Sequence, residues 1–268
     1  MSPRCLRLLP PALRLRAYYW FCYGSRSRRP ERFAAAPLAF APAVRMRLHP
    51  TDEGHGQIAF TGFYELELTR RLVVLARRGG LLVDVGANYG YFSLLWAARR
   101  NQNRVIAFEA SPRNLSALRE NVVRNGLDGR IEIRGLAIGR EGGILPFTLG
   151  PEEQTGWGGL SLQPGRTVEV EVTTLDQALA SVERIDVLKI DVEGADTWVL
   201  MGAQGLLGSK RIANVYFELN RERLERLGIG DREVMELLQE MGYVVTALGD
   251  EAGDVVEYHA APRIAGRK

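Results

Sequence analysis

From residue 81 onward, short apolar runs alternate with longer stretches whose apolar residues fall at helical spacing. The runs 81–85, 105–109, 131–134, 185–190 and 213–218 read as strands, with helices at 91–99, 112–125, 174–180 and 195–203 between them. Strands separated by helices of this length predict βαβ units and a parallel sheet covered on both faces. "LLVDV" and "IDVLKI" are apolar almost throughout, as strands buried on both sides require. Two departures add detail. "GGILPFTLG" and "RTVEVEVTTLD" flank the Gly-rich "EEQTGWGGLSLQPG" and predict a hairpin inserted before the fourth core strand. Near the C-terminus, "GYVVTAL" and "DVVEYHA" are joined by the turn-rich "GDEAGD" and predict an antiparallel pair. Upstream, 43–48 and 57–60 read as short strands. "GFYELELTRRLVVLARRG" reads as a helix, with Phe63, Leu66, Leu72, Val73 and Leu75 near helical spacing and Gly79 as its stop.

With 268 residues, 46% of them apolar, the chain can bury one full core. The expected division is a basic, aromatic arm at 1–42, a lead-in at 43–80 and an α/β core at 81–262. No run approaches the roughly 18 apolar residues of a membrane span. Cys5 and Cys22 precede the core and cannot build a disulfide framework, so a reduced, cytoplasmic protein is expected.

Charge changes this picture at one end only. Residues 1–50 carry ten arginines against Glu31 alone, a balance of +9, whereas the remainder carries −6 and the whole chain +3. An acidic core argues against a nucleic-acid partner. The arm interleaves Arg7, Arg14 and Arg16 with leucines ahead of "AYYWFCYG". Two readings stand: a loosely ordered basic tail, or a segment making peripheral contact with an anionic membrane.

The chemistry starts in "LLVDVGANYGYFS". Gly86 and Gly90 remove side chains where a strand turns into a helix, so that backbone N–H groups can approach a ligand. Asn88 tolerates a left-handed backbone there, and Asp84 can meet a ligand's amine. Glu109 ends the next strand in "VIAFEASP", where an acid suits both hydroxyls of a ribose. The dinucleotide fingerprint G-x-G-x-x-G is not met, because Asn88 replaces its second glycine and Tyr91 its third. A poor pyrophosphate cradle favours a nucleoside without phosphates, S-adenosyl-L-methionine, over an oxidoreductase cofactor.

"VDVGANYGYFSLLWA", "VIAFEASPRNLSALRENVVRNG", "GLAIGREGGILPF" and "IDVLKIDVEGADTWVLMGA" resemble, in order, the FkbM family of S-adenosylmethionine-dependent methyltransferases over about 81–245. The upstream "TGFYELELT" resembles the segment preceding the core in that family. The resemblance implies a doubly wound, mostly parallel seven-stranded sheet, the Rossmann-like class I methyltransferase fold, ending in an antiparallel hairpin. It implies that Asp84, Gly86, Asn88 and Gly90 surround the methionine part of the cofactor, with Glu109 at the ribose and Ala137 near the adenine. It further implies O-methylation of a hydroxyl on a sugar, glycolipid precursor or secondary metabolite. A scaffold that binds the nucleoside without turnover is the alternative. Asp196 departs from the family's usual glutamate, but a shorter acid there can still meet the helix dipole.

The catalytic candidates cluster in "LKIDVEG". Asp191 falls at a strand's carboxyl end, Lys189 shares its parity, and Glu193 follows in the turn. Glu218, with Asn220, ends the next strand. With Asp191 these form an oxygen set similar to that of magnesium-dependent catechol O-methyltransferases, but substrate contact by Glu218 is the preferred reading and no metal is expected. Trp157, isolated on the Gly-rich loop, suits stacking on a substrate. Tyr64, beside Glu65, is expected to shape the pocket. His55 in "EGHGQ" is expected on a flexible segment, either exposed or folding over the site as a lid.

Overall fold

The strands, in chain order, are β1 (Ala36–Pro37), β2 (Arg45–Met46), β3 (Leu81–Val85), β4 (Arg104–Phe108), β5 (Ile131–Arg134), β6 (Ala137–Ile138), β7 (Gly143–Thr148), β8 (Gly159–Leu160), β9 (Thr167–Thr173), β10 (Val187–Ile190), β11 (Val215–Asn220), β12 (Tyr243–Ala247) and β13 (Val255–Pro262). The computed structural model describes residues 6, 8–160, 167–230, 232–249 and 251–263; Cys5, Arg7 and the end of the Gly-rich loop at 161–166 lie outside it.

The main sheet has seven strands in the order β12-β13-β11-β10-β3-β4-β5. The pairs among β11, β10, β3, β4 and β5 are all parallel, and β13 runs antiparallel to both its neighbours. A short link between β12 and β13 allows only that reversal. Alternate residues face opposite layers. Leu82, Val105 and Val187 join a core with the helices Leu66–Ala76, Tyr91–Ala97 and Pro112–Arg124. Val83, Ile106 and Leu188 join another with Asp196–Met201, Gln204–Gly208 and Glu233–Glu240. Both faces of the sheet are therefore covered, as the unbroken apolar strands require. The expected hairpin is the β7–β9 pair of a smaller sheet, β6-β9-β7-β8.

The lead-in differs from its sequence reading. Residues 57–60 are not a strand but part of a helix, Glu53–Thr61. Asp52 caps its N-terminus by accepting from the His55 N–H at 2.8 Å, and Gly62 ends it in the left-handed region at φ 85°. The 43–48 run yields only β2, paired with β1. The helix expected from "GFYELELTRRLVVLARRG" begins only at Leu66 and ends at Ala76, because Glu65 holds a left-handed φ of 38° and cannot belong to it.

The described arm is packed rather than loose. In the helix Pro11–Phe21, Tyr18 is fully buried with its ring 5.6 Å from that of Phe60. Arg14 donates to the Thr61 carbonyl at 2.7 Å. Leu6 and Phe33 complete the contact. No helix among the described residues is long and apolar enough to cross a membrane.

Candidate active site

The carboxyl ends of β3, β4, β10 and β11 open onto one crevice, the place where doubly wound sheets bind ligands. The turn after β3 is set by crowding. A Cβ on Gly86 would lie 1.9 Å from the Asp191 carbonyl oxygen, and φ is 79°, so only glycine fits. Asn88 takes the left-handed backbone expected of it, at φ 52°. The amides of this turn, however, are engaged within the protein rather than directed at a ligand. Gly86 and Ala87 both donate to the Phe108 carbonyl at 3.0 Å, and Gly90 donates to Ala87 at 2.8 Å. A pyrophosphate would find no free N–H cradle here.

Glu109 is buried at the end of β4. Its carboxyl accepts from the Asn88 N–H at 2.7 Å and the Ser111 N–H at 2.8 Å. Burial raises its pKa to about 7 against the opposing pull of these two bonds.

Below the turn, Lys189 is 3% exposed and its ammonium lies 3.1 Å from Asp191 and 3.8 Å from Asp84. It also donates to the Gly86 carbonyl at 3.5 Å and sits 5.3 Å from the centre of the Phe92 ring. Burial alone would lower the lysine pKa, but Asp191, Asp84 and Glu65 reverse this and raise it above the ordinary value. Lys189 is therefore a cation at working pH and cannot serve as a proton acceptor. Asp84 accepts from Ser93 Oγ at 2.6 Å through one oxygen, while its Oδ1 has no hydrogen-bond partner. Burial raises its pKa, partly offset by Lys189.

Around this lysine stands a crowd of carboxyls. Burial and then the Asp191 charge push Glu65 and Glu193 up to about 8, Glu218 to about 9 and Asp196 to about 7. Glu193, itself left-handed at φ 58°, pairs with Arg223 at 3.0 Å. Asp196 accepts from the N–H groups of Val192 and Glu218, at 3.3 and 3.1 Å, and so ties the turn after β10 to β11. Asp196 also opens the helix Asp196–Met201, so the expected helix-dipole contact stands beside this link.

Two joined hollows occupy the crevice. A narrow slot of about 60 Å³ is walled by Phe108, Glu109, Leu136, Ala137, Phe147 and Leu160. A cavity of about 580 Å³ is lined by His55, Tyr64, Glu65, Trp157, Lys189, Asp191, Glu193 and Glu218. Gly86, Asn88, Gly156 and Asp191 border both. Of the residues expected to bind cofactor or substrate or to act in catalysis, Asp84 and Gly90 line neither hollow. Asn220 borders the cavity, but its side chain caps the helix Arg221–Leu227. No group of three or more His, Cys, Asp or Glu among the described residues could hold a metal ion.

His55 is not exposed but buried in the helix Glu53–Thr61 at the edge of the cavity. It is 4% exposed, its ring centre 4.2 Å from that of Tyr89. The His49 N–H donates to its Nδ1 at 3.2 Å, and burial lowers its pKa, so it is neutral. Asp52 fixes this end of the cavity: its second oxygen accepts from the Thr155 N–H at 2.6 Å and from Thr155 Oγ1 at 2.8 Å. The Gly-rich loop is thereby strapped over the cavity, leaving Trp157 53% exposed at the rim with the Arg223 guanidinium 5.9 Å from its ring centre. Asp52 and Arg223 escaped the sequence reading. Asp52 was legible as a helix cap, had 57–60 not read as a strand.

The fold is a seven-stranded doubly wound sheet with a ligand-sized crevice at its strand ends. Residues 84–245, more than half of the chain, match the family model described as the methyltransferase FkbM domain. The chain belongs to that family and is an S-adenosylmethionine-dependent methyltransferase. It is 29% identical over 249 residues to the 31-O-demethyl-FK506 methyltransferase FkbM of Streptomyces tacrolimicus, covering 80% of this chain and 93% of that one. It is 28% identical over 201 residues to the methyltransferase sdnD of Sordaria araneosa, covering 62% and 74%. Against the 2-O-methyltransferase NoeI of Sinorhizobium fredii it is 25% identical over 210 residues, covering 71% and 84%.

The residues present fit the cofactor. The slot offers apolar walls to a flat base and Glu109 to ribose hydroxyls. The buried Oδ1 of Asn88, without a hydrogen-bond partner at the border of both hollows, and the crowded carboxyls suit a ligand bearing an ammonium and a sulfonium.

Proposed function

We propose that this methyltransferase acts on a hydroxyl of a small, polyhydroxylated molecule: a sugar, a glycolipid precursor or a secondary metabolite. The observation that carries the proposal is the convergence of Asp191, Glu193, Glu218 and Glu65 on one cavity that shares its wall with the cofactor turn. Such a wall offers several hydroxyls hydrogen bonds at once, protonated carboxyls donating and carboxyl oxygens accepting. Two relatives, the 31-O-demethyl-FK506 methyltransferase FkbM and the 2-O-methyltransferase NoeI, agree by name with oxygen as the acceptor atom.

The bound cofactor supplies an electrophilic methyl group. The protein has then to bring a hydroxyl into line with it and remove the proton. Orientation alone contributes about 7–11 kcal/mol to lowering such a barrier. Asp191 takes the proton, held in position by the Lys189 ammonium 3.1 Å away. Glu193, anchored by Arg223, limits the cavity on one side. Glu218, Tyr64 and neutral His55 bind acceptor hydroxyls, and Trp157 covers the acceptor's apolar face. Gly86, Asn88, Gly90, Glu109, Ala137 and, from beneath the turn, Asp84 form the cofactor's surroundings.

The test is a screen of hydroxylated acceptors with methyl-labelled cofactor, followed by Asp191→Asn on the best acceptor. Turnover should fall by about 10²–10⁴-fold, with S-adenosylhomocysteine affinity held within a few-fold. Unchanged turnover would remove Asp191 from the reaction. Methylation of amines or thiols in preference to hydroxyls would overturn the acceptor class.

A further inference from the structure

The helix Pro11–Phe21 has an inner and an outer side that differ sharply. Tyr18 and Arg14 turn inward, one onto Phe60 and the other onto the Leu9 and Thr61 carbonyls. At 3.6 residues per turn, Ala12, Leu13, Arg16, Tyr19 and Trp20 share an outer arc of about 120°. Leu13, Tyr19 and Trp20 are 52, 52 and 80% exposed, and Leu8 and Phe21 at the flanks are 85 and 57% exposed. Arg16 within the arc and Arg28 just beyond the helix are also exposed. The methyltransferase reaction uses none of these residues.

We propose that this outer face docks the enzyme onto an anionic lipid surface. An exposed indole and phenol beside leucines suit the headgroup boundary, where each ring is partly apolar and partly wet. Charge supplies the direction: residues 1–50 carry +9 and the remainder −6, so an anionic surface attracts this end and repels the body. A second copy of the chain is disfavoured, because a two-fold contact would bring the +9 segment of one chain against that of the other. The face is also held rigidly. Arg26 pairs with Glu53 at 3.5 Å, and Glu53 in turn accepts from Tyr23 and, at 2.9 Å, from Gln154 of the strapped loop. Docking therefore fixes a wall of the acceptor cavity relative to the membrane.

The test is sedimentation of the full chain with vesicles of phosphatidylcholine alone and of phosphatidylcholine with phosphatidylserine. Binding is expected only to the second kind, and it should weaken as salt rises. Leu13→Ser with Trp20→Ser should lower binding about tenfold, and Arg16→Gln about fivefold. Val123→Ser, which removes an equally exposed apolar residue outside the segment, should change nothing. Affinity for S-adenosylhomocysteine should be the same in every variant, which separates loss of docking from loss of fold. Absence of binding, equal binding to both kinds of vesicle, or indifference to Arg16→Gln would overturn the proposal. So would a concentration-dependent dimer abolished by Leu13→Ser with Trp20→Ser, which would assign the face to a second copy.

Discussion

Replacing Lys189 by methionine keeps most of the apolar stem and removes one buried charge. In the native site that charge lies 3.1 Å from Asp191 and 3.8 Å from Asp84, and Asp84 is 1% exposed. The Asp84 carboxylate would keep its bond from Ser93 and lose its countercharge. Removing one partner of a buried pair costs about 3–5 kcal/mol, a large part of a stability of about 5–15 kcal/mol. For a chain of this size the melting temperature should fall by about 10 °C at pH 8. The penalty should depend on pH in one direction. Lys189 has its folded pKa above the unfolded one, so its stabilisation is complete below about pH 10 and is lost only above that. The folded pKa of Asp84 is already raised by burial and rises further once the lysine's opposing pull is gone. A group raised in this way destabilises the folded state as pH climbs from its unfolded value through its folded one. The variant should therefore lie closest to the wild type at pH 5 and farthest at pH 8, as read by urea unfolding at several pH values. Adding Asp84→Asn should recover much of the loss at pH 8. A penalty below about 1 kcal/mol, or one independent of pH, would refute the view of Lys189 as the charge that stabilises this site.

Gly86→Ala places a Cβ 1.9 Å from the Asp191 carbonyl oxygen at a φ of 79°. Left-handed alanine costs about 1–2 kcal/mol, and displacing Asp191 by about 1 Å should lower kcat/KM by about 100-fold. Activity within a few-fold of the wild type would show that Asp191 need not be so placed. Glu109→Ala removes a carboxylate that a ribose would share with the Asn88 and Ser111 amides. Calorimetric affinity for S-adenosylhomocysteine should weaken by about 10–100-fold. An unchanged affinity would take Glu109 out of the cofactor site.

Some misreadings of the sequence have specific physical origins. In 57–60, Gln57, Ile58, Ala59 and Phe60 form a short, mostly apolar run that mimics a strand. In the fold all four are buried, because the helix Glu53–Thr61 lies beneath the N-terminal helix. A helix buried all round shows no polar face and hence no helical period. Glu65 gave no sign of its left-handed backbone, since a non-glycine residue adopts that conformation only when its surroundings impose it. The Gly86 turn was legible as a turn. The engagement of its amides with Phe108 depends on β4 lying alongside.

What the chain determined by itself was the pattern of two-sided burial in β3, β4, β10 and β11, the glycine-paced turn after β3, and the acids at the strand ends. These follow from local rules: a strand covered on both faces must be apolar throughout, and a crowded turn must lack Cβ atoms. Tertiary structure alone decided how those acids behave. It placed Lys189 under Gly86, strapped Thr155 to Asp52, buried His55 as a neutral ring, and gathered Glu65, Glu193, Asp196 and Glu218 around Asp191. A side chain's charge depends on the distance and burial of groups remote from it in sequence. Those quantities exist only once the chain has folded.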